Sequence, residues 1–349
     1  MKRFLREQIA ELKPYEAHFN PHSVKMDANE NPFSWPEGMK EEVFSQNYDF
    51  NRYPDGSAIE LRKVIAQYNR VETENVLVGN GSDELIQIIF NTFGGSGRAV
   101  MIHPPTFSMY ASAARITDTS VIEVPLLEGV RLDTADMIAK CQGDPGIKVI
   151  IICNPNNPTG ALFPWEEVQK LLDETDCLVV VDEAYTEFAG ETFVDKIAAY
   201  PKLLVMRTFS KAFGMAALRL GYVMGCREII NFLNKVRQPF NVNSFSQRVG
   251  VIAFKYVAEY QKQIDLIKKE TELLYNGLKG IPCLKVLPTR ANFILFKAED
   301  SNSLAKELGE AGFTVRNLGE ILGLGKCLRM SSGTPEENRC FLETIKSLL

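Results

Sequence analysis

Short apolar runs that end abruptly in polar turns are the feature of this sequence that most restricts its fold. Residues 148–153 are apolar almost throughout and stop at Asn154-Pro155, and residues 178–181 lead directly into Asp182-Glu183. A strand that is apolar on both faces is covered by helices on both sides, and such strands alternate with helices in parallel sheets. The sequence therefore predicts an α/β fold, with a large domain built on a mainly parallel central sheet.

Further strand and helix patterns divide the chain. Strand patterns recur at 75–79, 99–103 and 203–207, a helical pattern covers 82–93, and Ser57 to Glu60 has the spacing of a capping box at a helix start.

After about residue 225 the pattern changes. A helical stretch from 243 to 278 precedes short strands and helices, which we interpret as a smaller α+β domain. The predicted division is an N-terminal arm in 1–30 that belongs partly to the small domain, a large domain in 31–245, and a small domain in 246–349.

Charge and residue content argue against several functional classes. The net charge of −5 disfavours nucleic acid as a partner, because phosphate backbones require a basic face. No apolar run approaches the ~18 residues of a membrane span, and the first residues lack the apolar region of a secretion signal. Seven scattered cysteines without a Cys-x-x-Cys pair are typical of reduced thiols, so we expect a cytoplasmic protein. The only histidines are His18, His22 and His103, which argues against a histidine-rich metal site, and we expect no metal.

Unusual residues follow the predicted strands at the ends where open α/β sheets bind ligands. Gly79-Asn80-Gly81-Ser82 is a glycine loop before a helix, which is either a phosphate cradle or a plain turn with Ser82 as N-cap. The turn 154–160 is rigid because it holds two prolines and three asparagines. Asp182 is either an acid at the rim of the sheet or a helix N-cap.

Lys211 and Arg219 complete this group. Lys211 is flanked by small and apolar residues, where burial would lower its pKa and expose a nucleophilic amine; the alternative is an ordinary surface lysine. Arg219 stands in an apolar context and requires an anion. A phosphate cradle, an acid, the phenol of Tyr185, an amine and an arginine together suit pyridoxal 5'-phosphate.

These motifs resemble those of the fold-type I, pyridoxal-phosphate-dependent aminotransferases of class II, and the resemblance covers nearly the whole chain. Within the family, the chain is most similar to the branch that acts on histidinol phosphate. The motifs that carry the resemblance are Ser210-Lys211, the turn 154–160, Pro14-Tyr15, Tyr53-Pro54-Asp55 and the run Val-Arg-Gln-Pro-Phe-Asn-Val-Asn at 236–243.

The resemblance implies roles for the residues around the cofactor ring. Lys211 binds the cofactor covalently and then acts as general base and acid, while Asp182 pairs with the ring nitrogen. Asn157 and Tyr185 donate hydrogen bonds to the ring oxygen. Phe107 stacks on the ring where many relatives have tyrosine, although it can also be a core residue.

The resemblance also implies a set of phosphate ligands. In this set, Ser82 and Asp83 bind the phosphate through their backbone N–H groups, and Thr208, Ser210 and Arg219 bind it through their side chains. Tyr53 reaches the same phosphate from the partner subunit. Because Tyr53 serves the partner, the family's site lies in a homodimer interface.

For the substrate, the resemblance points to two arginines. Arg329 would bind the carboxylate of glutamate or a phosphate, and Arg316 would be a second anion ligand unless it is a salt-bridged surface residue. Tyr15 would line the imidazole pocket or merely pack the N-terminal arm. The implied reaction transfers an amino group from histidinol phosphate to 2-oxoglutarate, in histidine biosynthesis. Three alternatives stay open: an aromatic-amino-acid aminotransferase, a lyase similar to threonine-phosphate decarboxylase, and a cofactor-binding regulator without enzyme activity.

Overall fold

The computed structural model of the protein describes residues 2–10, 12, 14 and 23–349. In these ranges the strands are β1 Val24–Lys25, β2 Val76–Gly79, β3 Ala99–Ile102, β4 Ser120–Glu123, β5 Ile147–Cys153, β6 Leu178–Asp182, β7 Leu203–Thr208, β8 Gly221–Gly225, β9 Lys285–Val286, β10 Phe293–Lys297, β11 Phe313–Thr314, β12 Arg316–Ile321 and β13 Gly325–Ser331. The α-helices are α1 Glu7–Ala10, α2 Met39–Phe44, α3 Ile59–Asn69, α4 Ser82–Phe93, α5 Met109–Ile116, α6 Thr134–Gly143, α7 Trp165–Glu174, α8 Thr186–Ala189, α9 Arg227–Val236, α10 Ser244–Ala253, α11 Val257–Lys279, α12 Ser301–Glu310 and α13 Pro335–Leu348.

A seven-stranded sheet in the order β2-β8-β7-β6-β5-β3-β4 forms the centre of the larger part. Its strands are parallel except β8, which is antiparallel to both of its neighbours, so the predicted mainly parallel α/β sheet is confirmed. Alternate side chains of one strand enter different apolar clusters: Val179 and Val181 pack on one side of the sheet, Val180 on the other. Burial on both faces explains why these strands consist almost entirely of apolar residues.

Some local predictions differ from the structure. The capping box is wrong, because α3 begins two residues later than Ser57 and its first turn is capped by Asp55. One carboxylate oxygen of Asp55 accepts from the Ser57 N–H at 2.8 Å and the other accepts from the Ile59 N–H at 2.7 Å. A carboxylate that satisfies two amide donors outcompetes a serine hydroxyl that can satisfy one.

A second sheet in the order β12-β13-β10-β9 is antiparallel and lies in the C-terminal part of the chain. Strand β1 pairs in parallel with β11, so the segment near residue 25 lies against this part. The predicted helical stretch is interrupted by a 3-10 turn at Phe254–Tyr256, between α10 and α11. The division at residues 30 and 245 stays a prediction.

Within the described ranges, no helix has both the length and the hydropathy needed to cross a membrane.

Candidate active site

The carboxyl ends of three adjacent parallel strands, β5, β6 and β7, bring the predicted motifs to one edge of the sheet. The turn that begins at Asn154 follows β5, Asp182 is the last residue of β6, and Lys211 lies three residues beyond β7. The crevice at this edge is where ligands of open α/β sheets bind. Residues far apart in sequence therefore meet because of the strand order.

Lys211 carries a half-buried side chain whose ammonium donates to the carbonyl oxygen of Ala28 at 2.8 Å. Burial, and to a smaller extent the nearby positive charge of Arg329, lower the pKa of Lys211 to about 8. An amine with this pKa exchanges protons readily near neutral pH, which is the property required of a nucleophile that also moves protons.

Asp182 is almost fully buried, with both carboxylate oxygens engaged. One oxygen accepts from the hydroxyl of Tyr110 at 2.7 Å and the other from the backbone N–H of Ala184 at 3.1 Å. Burial raises the pKa of Asp182 to about 6, although both hydrogen bonds stabilise the carboxylate and act against that rise. Asp182 is therefore ionised at neutral pH and can face a positive group.

Tyr110 is a functional residue that the sequence reasoning missed. Its ring is fully buried and packs edge-on against Phe107, with centroids 5.5 Å apart. Phe107 lies two residues before α5 and Tyr110 lies in its first turn, so the two rings, three positions apart in sequence, meet at the helix start. That spacing was the available signal, but the partner of the hydroxyl lies 72 positions further along the chain.

We predict that Tyr110→Phe shifts cofactor binding to higher pH. Without the phenol donor, the carboxylate of Asp182 loses a hydrogen bond worth about 1.5–3 kcal/mol, so its pKa rises by about one to two units. The wild-type apoprotein should lose affinity for pyridoxal phosphate as pH falls through about 6, because the carboxylate becomes protonated. The variant should lose it at higher pH, which fluorescence titration of the apoprotein measures. Coincident pH profiles would contradict this role.

The side chains of Asn157 and Tyr185 lie next to each other at the crevice. The amide of Asn157 donates to the Tyr185 hydroxyl at 3.5 Å, and the amide of Asn29 donates to the same hydroxyl at 3.0 Å. Burial raises the pKa of Tyr185 well above its ordinary value, so its hydroxyl stays protonated. A phenol and an amide with convergent donors suit an anionic oxygen between them.

Arg329 is buried and closes the crevice from the small sheet. Its guanidinium donates to the side-chain oxygen of Asn157 at 2.7 Å and to the backbone oxygen of Asp27 at 2.6 Å, and it lies over the ring of Phe293. Arg316 is directly opposite Arg329 in the antiparallel pairing of β12 with β13. Side chains at opposite positions share one face of a sheet, so the register brings the two predicted anion ligands together.

The glycine loop forms a tight cradle at the start of α4. Gly81 has a φ of +83°, and a Cβ there would lie 2.8 Å from the guanidinium of Arg219. A Cβ at Gly221 on β8 would lie 2.8 Å from the backbone nitrogen of Ser82. Glycine at both positions therefore lets Arg219 and the helix start approach the same space, which is lined by N–H groups that a helix leaves without internal partners.

Arg219 extends the cradle with a positive charge. It forms an ion pair with Asp83 at 2.9 Å, and both side chains are about 44% exposed. The hydroxyl of Thr208 is engaged locally: it donates to the Leu220 carbonyl at 3.4 Å and accepts from the Ser210 N–H at 3.1 Å. Thr208 thus shapes the turn that presents Ser210.

A chain of hydrogen bonds that the sequence did not reveal holds the cradle in place. Glu84 accepts from the backbone N–H of Asn80 at 2.5 Å and from the amide of Asn241 at 2.6 Å. Arg237 donates to the side-chain oxygen of Asn241 at 2.8 Å. The residues of the 236–243 run therefore support the glycine loop from behind.

The remaining predicted residues differ in position. Phe107 is half-buried beside Tyr110, as a ring at the crevice should be. Tyr53 is 82% exposed and stacks on Phe240, with centroids 4.6 Å apart. Tyr15 lies outside the described residues.

The site has the composition that pyridoxal phosphate requires. The cradle of N–H groups with Arg219 suits a phosphate, and Asp182 suits a protonated ring nitrogen. Asn157 and Tyr185 suit the ring oxygen, and Lys211 is an amine with a lowered pKa for covalent attachment. These are the residues that would hold the cofactor.

Comparisons with known proteins support pyridoxal phosphate as the cofactor. The model of the family "Aminotransferase class I and II" matches residues 21–345. A histidinol-phosphate aminotransferase of Desulfitobacterium hafniense strain Y51 is 49% identical over 354 residues, covering 100% of this chain and 98% of that protein. The solved structure of the histidinol-phosphate aminotransferase from Clostridium acetobutylicum has a TM-score of 0.85 at 27% identity, covering 93% of this chain and 98% of that one. The enzyme from Sinorhizobium meliloti, solved with pyridoxal-5'-phosphate, has a TM-score of 0.89 at 21% identity, covering 99% and 98%, and supports the fold alone.

Proposed function

The chain belongs to the class I and II aminotransferases, a pyridoxal-phosphate-dependent family, and from this premise we propose that it transfers the amino group of L-histidinol phosphate to 2-oxoglutarate. The products are imidazole acetol phosphate and glutamate, in histidine biosynthesis. The 49% identity to a histidinol-phosphate aminotransferase over the whole chain supports this substrate. The structural observation that carries it is the pairing of Arg316 with Arg329 on one face of the small sheet.

The chain's own residues perform distinct tasks in this reaction. Bound pyridoxal phosphate supplies a ring that accepts electrons and a carbonyl that exchanges amino groups. The amine of Lys211 removes and returns the proton at the reacting carbon, which its pKa of about 8 permits. Asp182 holds a negative charge against the ring, and Tyr110 keeps that carboxylate ionised. Asn157 and Tyr185 orient the ring through its oxygen.

Both substrates are recognised through their anionic ends. Arg329 is buried beside Asn157, so it binds a carboxylate or phosphate close to the reacting amine. Arg316 adds a second charge that a dianionic phosphate uses and a single carboxylate does not require. Histidinol phosphate thus engages both arginines, and glutamate depends on Arg329.

Asp182→Asn should slow amino-group transfer about a hundred- to a thousandfold and weaken cofactor binding by a smaller factor, because a neutral amide fits the position but supplies no charge. Single-turnover rates and cofactor titrations measure the two effects separately. Asp173→Asn on the exposed side of α7 is the matched control. Equal single-turnover rates for variant and wild type would leave Asp182 as a helix cap.

We also propose that the protein is a homodimer in which Tyr53 completes the partner's site. Large aromatic side chains, including Phe50, Tyr53 and Phe240, are exposed around a surface cleft of about 620 Å³. Exposed aromatic patches of this kind mark protein interfaces.

Dimerisation predicts complementation between two damaged chains. Tyr53→Phe should weaken cofactor binding about ten- to a hundredfold by removing one hydrogen bond to the phosphate. At limiting cofactor, mixing Tyr53→Phe chains with inactive Lys211→Ala chains should restore activity, because a hybrid has one intact site. An active monomer in sedimentation, or no restoration after verified subunit exchange, would refute the shared site.

A cytoplasmic location is part of the proposal. All seven cysteines are free thiols in the structure, which suits a reducing compartment.

Steady-state kinetics test the proposed substrate. We expect kcat/KM for histidinol phosphate to exceed that for unphosphorylated histidinol and for phenylalanine by more than tenfold, since both lack the phosphate. Preference for phenylalanine would favour the aromatic alternative, and release of carbon dioxide from threonine phosphate would favour the lyase.

A further inference from the structure

Two cysteines outside the active site have their sulfur atoms in contact. Cys141 lies near the end of α6 and Cys177 immediately precedes β6, and their sulfur atoms are 3.6 Å apart. The thiol of Cys177 also lies 3.3 Å from the backbone oxygen of Ile147 at the start of β5. Two thiols at this separation need only a small side-chain rotation to reach bonding distance.

The surroundings favour one ionised sulfur in this pair. The sulfur atoms of Cys177 and Cys141 share a hydrogen bond, and Lys148 and Lys202 place positive charge nearby, so the pKa of Cys177 is lowered to about 7. The same contact raises the pKa of Cys141, which retains its proton. A thiolate beside a protonated thiol is the arrangement in which oxidation proceeds to a disulfide.

Access to the pair is narrow. Cys177 is buried, whereas Cys141 is half-buried and reaches the surface. An oxidant must therefore approach from the side of Cys141. This narrow approach favours a small oxidant such as hydrogen peroxide over a bulky disulfide.

We propose that Cys141 and Cys177 are a reactive dithiol that hydrogen peroxide converts into an intramolecular disulfide. The Cys177 thiolate attacks one peroxide oxygen, the O–O bond breaks, and the released hydroxide takes a proton to form water. Cys141 then attacks the sulfur of the resulting sulfenic acid, the S–O bond breaks, and the Cys141 proton leaves with the hydroxide as a second water. The two thiols lose two electrons, and the peroxide is reduced to two waters.

The disulfide is expected to stabilise the protein without inhibiting it. The bond would join residues 36 positions apart, which restricts the unfolded chain. Cys177 lies at the opposite end of β6 from Asp182, a distance of about 16 Å along the strand. The catalytic edge of the sheet need not move when the bond forms.

Peptide mapping of the holoenzyme tests the proposal. The protein is treated with a few equivalents of hydrogen peroxide, quenched with catalase, alkylated in denaturant and digested without reductant. We expect a cross-linked peptide containing Cys141 and Cys177, two hydrogens lighter than the reduced pair, before the exposed Cys283 or Cys340 is modified. Oxidation of the exposed cysteines while Cys141 and Cys177 remain alkylated would overturn it.

Variants extend the test to stability. The midpoint of thermal unfolding should rise by a few degrees on oxidation and return to its original value on reduction. Activity should stay within about twofold of that of the reduced protein throughout. Cys283→Ser should keep this response, and Cys141→Ser should abolish it. An unchanged response in Cys141→Ser would contradict the assignment, and if that variant does not fold, the wild-type peptide map decides the question.

Discussion

Lys211→Ala is expected to abolish amino-group transfer while leaving the protein folded. Loss of proton transfer alone should cost at least about 10²–10⁴-fold, and the covalent attachment is lost with it. The fold should persist because alanine removes a cation that the site partly buries, and because the hydrogen bond to Ala28 ends at a backbone oxygen. Absorbance of the bound cofactor and turnover both measure the effect.

Two controls sharpen this test. Lys211→Arg keeps the positive charge but cannot attach the cofactor, so it should be as inactive as alanine. Lys170→Ala on the exposed side of α7 should behave as wild type. Borohydride reduction should fix the cofactor covalently to Lys211 of the wild type and to neither Lys211 variant. Mass spectrometry detects the attached cofactor. Retained turnover in Lys211→Ala would remove the basis of the mechanism.

Arg316→Ala should separate the two substrates. Loss of a charge-assisted contact to the phosphate should cost about 2–5 kcal/mol in transition-state binding, or roughly 30- to several-thousand-fold in kcat/KM for histidinol phosphate. The half-reaction with glutamate should change little, because its carboxylate uses Arg329. Single-turnover rates with each amino donor measure this difference.

Arg329→Ala is the comparison for that result. Both half-reactions should fall, since Arg329 serves both substrates and also holds Asn157. Arg339→Ala, exposed on α13, is the matched control for removing a positive charge. Equal losses in both half-reactions for Arg316→Ala would assign it to the shared clamp or the fold. No loss in either would make phenylalanine the better candidate substrate.

The sequence predicted those parts of the site that lie within one motif. Asp182 and Lys211 are recognisable because Asp182 ends one buried apolar strand and Lys211 lies three residues after another, and α4 follows its glycine loop as expected. The mainly parallel sheet could be predicted because strands that are buried on both faces appear in the sequence as continuous apolar runs.

Contacts between distant segments could not be predicted in the same way. The bond from Tyr110 to Asp182 and the bond from Arg329 to Asn157 depend on strand order, which no local pattern encodes. Strand β8 is a short run bounded by glycines, and β4 is half-exposed, so neither has the signature of a buried strand. The capping of α3 by Asp55 shows the same limit, since Asp55 and Ser57, two candidate caps, stand within three residues of each other.

The amino-donor half-reaction tests the proposed substrate most directly. Holoenzyme is mixed with one donor in the absence of 2-oxoglutarate, and the absorbance of the bound cofactor is followed by stopped flow. We predict that L-histidinol phosphate converts the cofactor in a single fast phase, more than tenfold faster than phenylalanine at equal concentration, and that glutamate converts it as the second natural donor. Conversion by phenylalanine at an equal or higher rate, or no conversion by histidinol phosphate, would contradict the account.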